Sequence, residues 1–176
     1  MKKLILFILT VAVLILVSNN YEQNYYIIPE ESIRIRIIPN SNNIKDQYIK
    51  NQVKANIELE LQEDLKRVTT IDESRRVIKK NINKYDDVIE TVLNNEKYLK
   101  KHTIDYGYHY FPEKIYKGVK YSEGEYESLL ITLGEAKGDN WWCVLFPPIC
   151  SLEEDESGQK IEYSFLVKEM FNKYLK

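Results

Sequence analysis

Ser32-Ile33-Arg34-Ile35-Arg36-Ile37-Ile38-Pro39-Asn40-Ser41-Asn42-Asn43 sets the architecture of this chain. Apolar and basic side chains alternate with a period of two from Ser32 to Ile38, the pattern of a half-buried β-strand. Pro39 has a fixed φ and no amide to donate, so it ends the strand, and Asn40 to Asn43 supply turn and N-cap chemistry for a helix. Ile49, Val53, Ile57, Leu61 and Leu65 then mark one face of a helix from about Ile44 to Lys66. Thr70-Ile71-Asp72-Glu73 has the form of a capping box, and Ile78, Ile82, Tyr85, Ile89 and Val92 repeat at 3.6 spacing behind it. Two amphipathic helices with so short a connection are expected to pack antiparallel.

Beyond Lys101 the period returns to two. His102 to Phe111 alternates, Pro112 interrupts, and Lys114 to Tyr121 resumes around a turn at Lys117-Gly118. Glu125 to Leu133 reads as a central strand because Leu129-Leu130-Ile131 is continuously apolar. A turn over Gly134 to Asp139 leads into a strand from Asn140 to Phe146, an acidic loop at Glu153 to Glu156, and a helix from Ile161 to Tyr174 with Phe165, Leu166, Met170 and Tyr174 inward. The expected class is α+β: one strand, an antiparallel helical hairpin, an antiparallel β-meander and a C-terminal helix.

Upstream, Met1-Lys2-Lys3 is a short basic region followed by Leu4 to Val17, where Thr10 is the only polar residue. The run fits the apolar part of an export signal and falls short of the roughly 20 apolar residues of a spanning helix. Residues 1–20 are therefore expected to be a signal peptide or, if uncleaved, a membrane anchor, with 21–31 as a spacer. The 176 residues are 44% hydrophobic and 30% charged with a net charge of −2, enough for one domain with a proper core and without the basic excess that nucleic acid would attract.

Asn140-Trp141-Trp142-Cys143-Val144-Leu145-Phe146-Pro147-Pro148-Ile149-Cys150 holds both tryptophans, both cysteines and two of the five prolines. In an exported chain an even cysteine pair favours a disulfide, and joining Cys143 to Cys150 would stabilise the fold by roughly 2 to 3 kcal/mol. Two buried thiols are the other reading. A loop so closed and stiffened by Pro147-Pro148 would present Trp142, Leu145 and Phe146 as an apolar knob; alternatively, the tryptophans are core residues of a buried strand.

Catalytic chemistry is hard to assemble. The only imidazoles, His102 and His109, lie an odd number of residues apart in one strand and so on opposite faces. Cys-x6-Cys with no nearby histidine is a poor metal site, no phosphate-binding glycine loop or nucleophile motif occurs, and no cofactor is implied. Glu125 and Glu127 flank Tyr126 on one strand face. They could divide acid and base roles in glycoside hydrolysis, with Trp141 and Trp142 stacking on a sugar, or pair across the sheet with Arg34 and Arg36.

Ile33 to Ser41 followed by Asp46-Gln47, Ile71 to Arg76, Phe111-Pro112-x-Lys114-x-Tyr116, Gly124 to Glu127 with Ile131 to Gly134, and finally Asn140 to Cys150 resemble, in order, the stage II sporulation protein R family. The resemblance implies a signal and not an enzyme: a protein made in the forespore, exported into the space between the two surrounding membranes, that activates a membrane-embedded aspartic protease of the mother cell. That protease removes the pro-sequence of the mother-cell sigma factor E. On this reading residues 32–176 form a single signalling domain, and Trp141, Trp142, Leu145, Phe146, Pro147, Pro148, Glu125, Tyr126, Glu127, Arg34 and Arg36 are the candidate partner-binding residues. Membrane contact would run through residues 1–20 if they are retained. Oligomeric state is left open. An exported cell-wall glycoside hydrolase and a purely structural domain are the alternatives.

Overall fold

The computed structural model describes residues 26–28, 30–116, 118–150 and 160–175. The export segment at 1–20, the spacer up to Asn24, part of the Lys117-Gly118 turn and the acidic loop at 153–156 lie outside the described residues. The chain is α+β. Its elements are β1 (Tyr26–Ile27), β2 (Ile33–Ile38), α1 (Ile44–Leu65), α2 (Ile71–Asn95), β3 (His102–Phe111), β4 (Lys114–Tyr116), β5 (Val119–Tyr121), β6 (Gly124–Leu133), β7 (Trp141–Phe146) and α3 (Lys160–Tyr174). Among the described residues no helix is long and apolar enough to cross a membrane.

The main sheet has the order β3-β6-β2-β7. β6 runs antiparallel to β3 and parallel to β2, and β2 runs antiparallel to β7. The expected antiparallel meander is thus corrected to a mixed sheet, in which β2 lies between the consecutive strands β6 and β7. The reason lies in the opening stretch: β2 is covered on both faces, Ile33, Ile35 and Ile37 on one and Arg34 on the other, and a strand with no wet face belongs in the middle of a sheet. The β6–β7 connection crosses the end of β2, where Lys137 and Gly138 amides donate to the Asn40 and Pro39 carbonyls at 3.2 and 3.0 Å. Tyr26–Ile27, within the stretch read as a spacer, pair as a strand parallel to β5 and complete a small sheet of order β1-β5-β4.

Helices α1 and α2 cover one face of the main sheet. Their direction is fixed by contacts in inverse order along the chain: Tyr48 donates to Glu96 at 3.2 Å, Lys84 pairs with Glu60 at 2.7 Å, and Asn81 donates to Asp64 at 3.1 Å. Thr70 caps α2 by accepting the Glu73 amide, whose carboxylate accepts the Thr69 amide in return. The N-terminus of α1 is held by Asn43, which accepts the Asp46 amide at 2.7 Å. Asp46 itself is buried and accepts from Asn40, Ser41, Asn43 and the Tyr98 hydroxyl at 2.6 to 2.9 Å. Burial alone would raise its pKa, but the hydrogen bonds from Ser41, Asn40 and Tyr98 outweigh burial and hold it below the ordinary 3.8. Gly134, at φ +59°, lets the β6–β7 turn press against this knot, since a Cβ there would collide with Asn40.

α3 turns a different face inward from the one expected. Val167 and Phe171 are buried and Tyr174 partly so, whereas Phe165 is 57% exposed and Leu166 is exposed as well. Tyr174 packs inward as expected, but it shares its stripe at helical spacing with Val167 and Phe171 and not with Phe165 and Leu166.

Candidate functional site

The face of the sheet away from α1 and α2 is built around one cation. Arg34 has no exposed surface. Its guanidinium carbon lies 3.3 Å from the Tyr126 ring centroid, 5.2 Å from that of Phe111 and 5.4 Å from that of Trp142. Nε, Nη1 and Nη2 have no hydrogen-bond partner among the described residues. Desolvation lowers the pKa to about 10, so the group is a cation at neutral pH, held by aromatic quadrupoles in place of an acid. Such contacts contribute about 2 kcal/mol when desolvated, while burial of an ion costs several kcal/mol. This arrangement is therefore not what core stability alone favours. The rings interlock edge to face: Phe111 and Trp142 at 5.5 Å, Tyr121 and Trp142 at 4.9 Å, Phe111 and Tyr126 at 6.2 Å. Ile28, Val119, Val167 and Phe171 close the cluster from the small sheet and α3. At its rim Arg36 donates to the Tyr110 carbonyl at 3.0 Å, and the Lys114 ammonium sits 5.1 Å from the Trp142 ring.

The register explains where the carboxylates go. Arg34 stands opposite Ser128 and Arg36 opposite Leu130, so Tyr126 and Ser128 share the arginine face while Glu125 and Glu127 point to the helical face. The expected pairing of Glu125 and Glu127 with Arg34 and Arg36 is corrected accordingly. Glu127, buried, accepts from Arg75 Nε of α2 at 2.7 Å and from the Tyr106 hydroxyl at 2.8 Å. Its hydrogen bond raises the Arg75 pKa, and burial, then the same carboxylate, raises that of Tyr106. Glu125 is exposed. The two carboxylates that a hydrolase would use thus have unlike surroundings, one tied into an ion pair under a helix and the other in solvent.

The 140–150 block is mostly interior. Trp142 is 7% exposed, Leu145 and Phe146 less, and Pro147 is buried, so the apolar knob gives way to the core reading. Alternation along β7 sends Trp142 and Val144 to the arginine face and Cys143 and Leu145 to the helical one. Phe146 packs edge-on against Tyr174 at 5.3 Å. Trp141 is half-buried, with the Lys54 ammonium 4.8 Å from its ring. Beyond a cis Phe146-Pro147 bond, the chain folds back so that the Ile149 amide reaches the Val144 carbonyl at 3.2 Å. The Cys150 and Cys143 sulfurs lie 3.0 and 3.9 Å from that same oxygen, so the two cysteines are neighbours. Pro148 and Cys150, with Leu61, Leu65, Leu145 and Tyr174, line a mainly apolar cleft of about 340 Å³.

Arg75, Phe111 and Tyr121 were not among the expected site residues. Phe111 was accessible in principle, since it closes the β3 alternation on the parity of the arginine face. Arg75 gives no sequence signal, because its reach to Glu127 depends on how α2 seats on the sheet.

The chain matches the family model described as stage II sporulation protein R over residues 29–156, which spans β2 to β7. It is 37% identical over 132 residues to stage II sporulation protein R of Bacillus subtilis (strain 168), an alignment covering 75% of this chain and 59% of that protein. No solved structure matches. The chain belongs to the stage II sporulation protein R family.

Proposed function

We propose that this protein is an exported signal of endospore formation that activates the membrane-embedded aspartic protease responsible for processing the precursor of mother-cell sigma factor E. The family match carries this reading. The commitment of its acid–base groups supports it: Glu127 is held by Arg75 and Tyr106, His102 by Asp86, and His109 by Ser128 and Asp105. Such a protein acts through a surface. The exposed or half-exposed members of the candidate set, Glu125, Arg36, Trp141 and Pro148, contact the protease, while Arg34, Tyr126, Trp142, Leu145, Phe146 and Pro147 hold that surface in shape. In the oxidising space outside the forespore, Cys143 and Cys150 form a disulfide that fixes the return of the chain after β7.

A photo-crosslinking side chain placed in turn at Glu125, Arg36, Trp141 and Pro148 tests the contact. The expected result is an adduct with the protease from at least one position, in membranes that also process the sigma factor. Processing without an adduct from any of the four would overturn the assignment of the surface.

A further inference from the structure

Among the described residues strand β3 is an edge of the main sheet, and its sequence is self-complementary. The opposite edge, β7, is capped near its end by the chain's own return, with the Val144 carbonyl accepting from Ile149 and Cys150. β3 has ten consecutive pairs to β6 without a bulge. Its run His102-Thr103-Ile104-Asp105-Tyr106-Gly107-Tyr108-His109-Tyr110-Phe111 contains no lysine, arginine or proline, the residues that usually blunt an edge. Tyr108 and Tyr110 are 69% and 54% exposed.

The phase of the ladder says which groups face outward. The Gly134 amide donates to the Lys101 carbonyl at 2.7 Å, and these two residues continue the β3–β6 register. Residues 101, 103, 105, 107 and 109 therefore turn their backbone groups toward β6, and Ile104, Tyr106, Tyr108 and Tyr110 turn theirs to the open edge. The Tyr110 carbonyl accepts from Arg36 and keeps a second lone pair.

We propose that two copies of this chain join through antiparallel β3–β3 pairing with the two-fold axis at Gly107, giving a continuous eight-stranded sheet. This goes beyond the function proposed above and does not depend on it. With Gly107 opposite Gly107, the outward-facing residues pair with each other, Tyr106 with Tyr108 and Ile104 with Tyr110, which gives aromatic and aromatic–aliphatic cross-strand pairs. On the other face Asp105 of one copy stands opposite His109 of the second, twice by symmetry. Within one chain these two side chains already meet, with Nε2 2.9 Å from Oδ2, so their chemistry is matched and the dimer only exchanges partners. The non-hydrogen-bonded pairs come closest, with Cα atoms roughly 4.5 Å apart, and at the axis glycine removes the side-chain conflict.

Sedimentation of the purified full chain in mild detergent, with cysteine crosslinking, tests the pairing. The wild type should associate to a dimer as concentration rises. Gly107→Lys, which sets two ammonium groups against each other on the axis, should remain monomeric with an unchanged melting temperature. A Cβ at position 107 meets nothing nearer than Asp105 Oδ2 at 3.4 Å, so the substitution is tolerated within one chain. If it does lower the melting temperature, Asp105→Lys, at an exposed side chain, serves as the monomeric variant. On mild oxidation Gly107→Cys should crosslink to itself in most molecules, because its Cα separation suits a disulfide. Thr103→Cys, whose copies would lie roughly 27 Å apart at about 3.4 Å per residue, should not exceed the unmodified chain. A wild type that stays monomeric throughout, or Gly107→Cys crosslinking no faster than Thr103→Cys, would overturn the proposal. So would a β3 edge whose amides gain exchange protection only when the protease is added, which would assign the edge to the protease.

Discussion

On the helical face of the main sheet, Ile33, Ile35, Ile37, Leu129, Ile131 and Leu133 meet Ile49, Val53, Ile57, Ile78 and Ile89 of the two helices. On the opposite face Arg34 meets Phe111, Tyr126 and Trp142. Both clusters exclude water, by different physics. The aliphatic face is stabilised in proportion to area, at roughly 25 cal/mol per Å², and side chains of similar volume can replace one another there with modest cost. The aromatic face is specified by ring geometry around a charge that has no acid partner among the described residues, so its parts are not interchangeable. A fold assembled for stability alone has no need of the second arrangement.

The largest expected effect is on the aromatic face. Trp142→Ala should cost about 3 to 5 kcal/mol, read by denaturant unfolding, against about 0.5 to 1.5 kcal/mol for Ile131→Val on the aliphatic face. Equal losses would erase the distinction. Next, Arg34→Met replaces the cation with an apolar side chain of similar reach and should leave stability unchanged or raise it by up to about 4 kcal/mol, as replacement of buried ion pairs often does, while loosening the ring geometry that the charge organises. A lower stability would show that the guanidinium is better satisfied than its surroundings indicate. Glu127→Gln should cost about 1 to 3 kcal/mol, by weakening the bonds from Arg75 and Tyr106. Thermal unfolding should place that loss on the α2–sheet contact, leaving Trp142 fluorescence unchanged.

The smallest effect concerns acid. The Asp46 pKa is depressed in the fold, so its contribution is fully present above the unfolded-state value near 4 and is lost as pH falls through the folded value. Asp46→Asn should therefore lower stability at pH 7 and flatten its dependence on pH below about 4. An unchanged acid slope would mean that the knot at the start of α1 does not couple to folding.

Much of this was legible in the sequence because local periodicity sets it. Both helices of the hairpin, a cap within Asn40 to Asn43 and one at Thr70, the β2, β3, β6 and β7 segments and the α+β class follow from spacing and residue type. Two things were not legible. The insertion of β2 between β6 and β7 depends on both of its faces being covered, and Arg34 and Arg36 look like a wet face until Phe111, Tyr126 and Trp142 are known to lie over Arg34. The partners of Glu127 were missed for the same reason: parity places two residues on one face of a strand, but only the register between β2 and β6 says that Glu127 and Arg34 face opposite ways. The inward stripe of α3 was misjudged because Phe165-Leu166 is the more apolar pair in sequence, while Val167 and Phe171 fit the gap beside Trp142 and Val144.

The role proposed for this chain is to signal to a protease. The direct measurement is processing of the sigma factor E precursor in a non-sporulating host that carries the precursor, the protease and this chain. The shortened sigma factor should accumulate only when protease and chain are both present, and it should still form, at a reduced level, when Glu125→Gln and Glu127→Gln are combined in a chain that still folds. Equal processing with and without the chain would contradict it, and so would processing that requires the chain but not the protease.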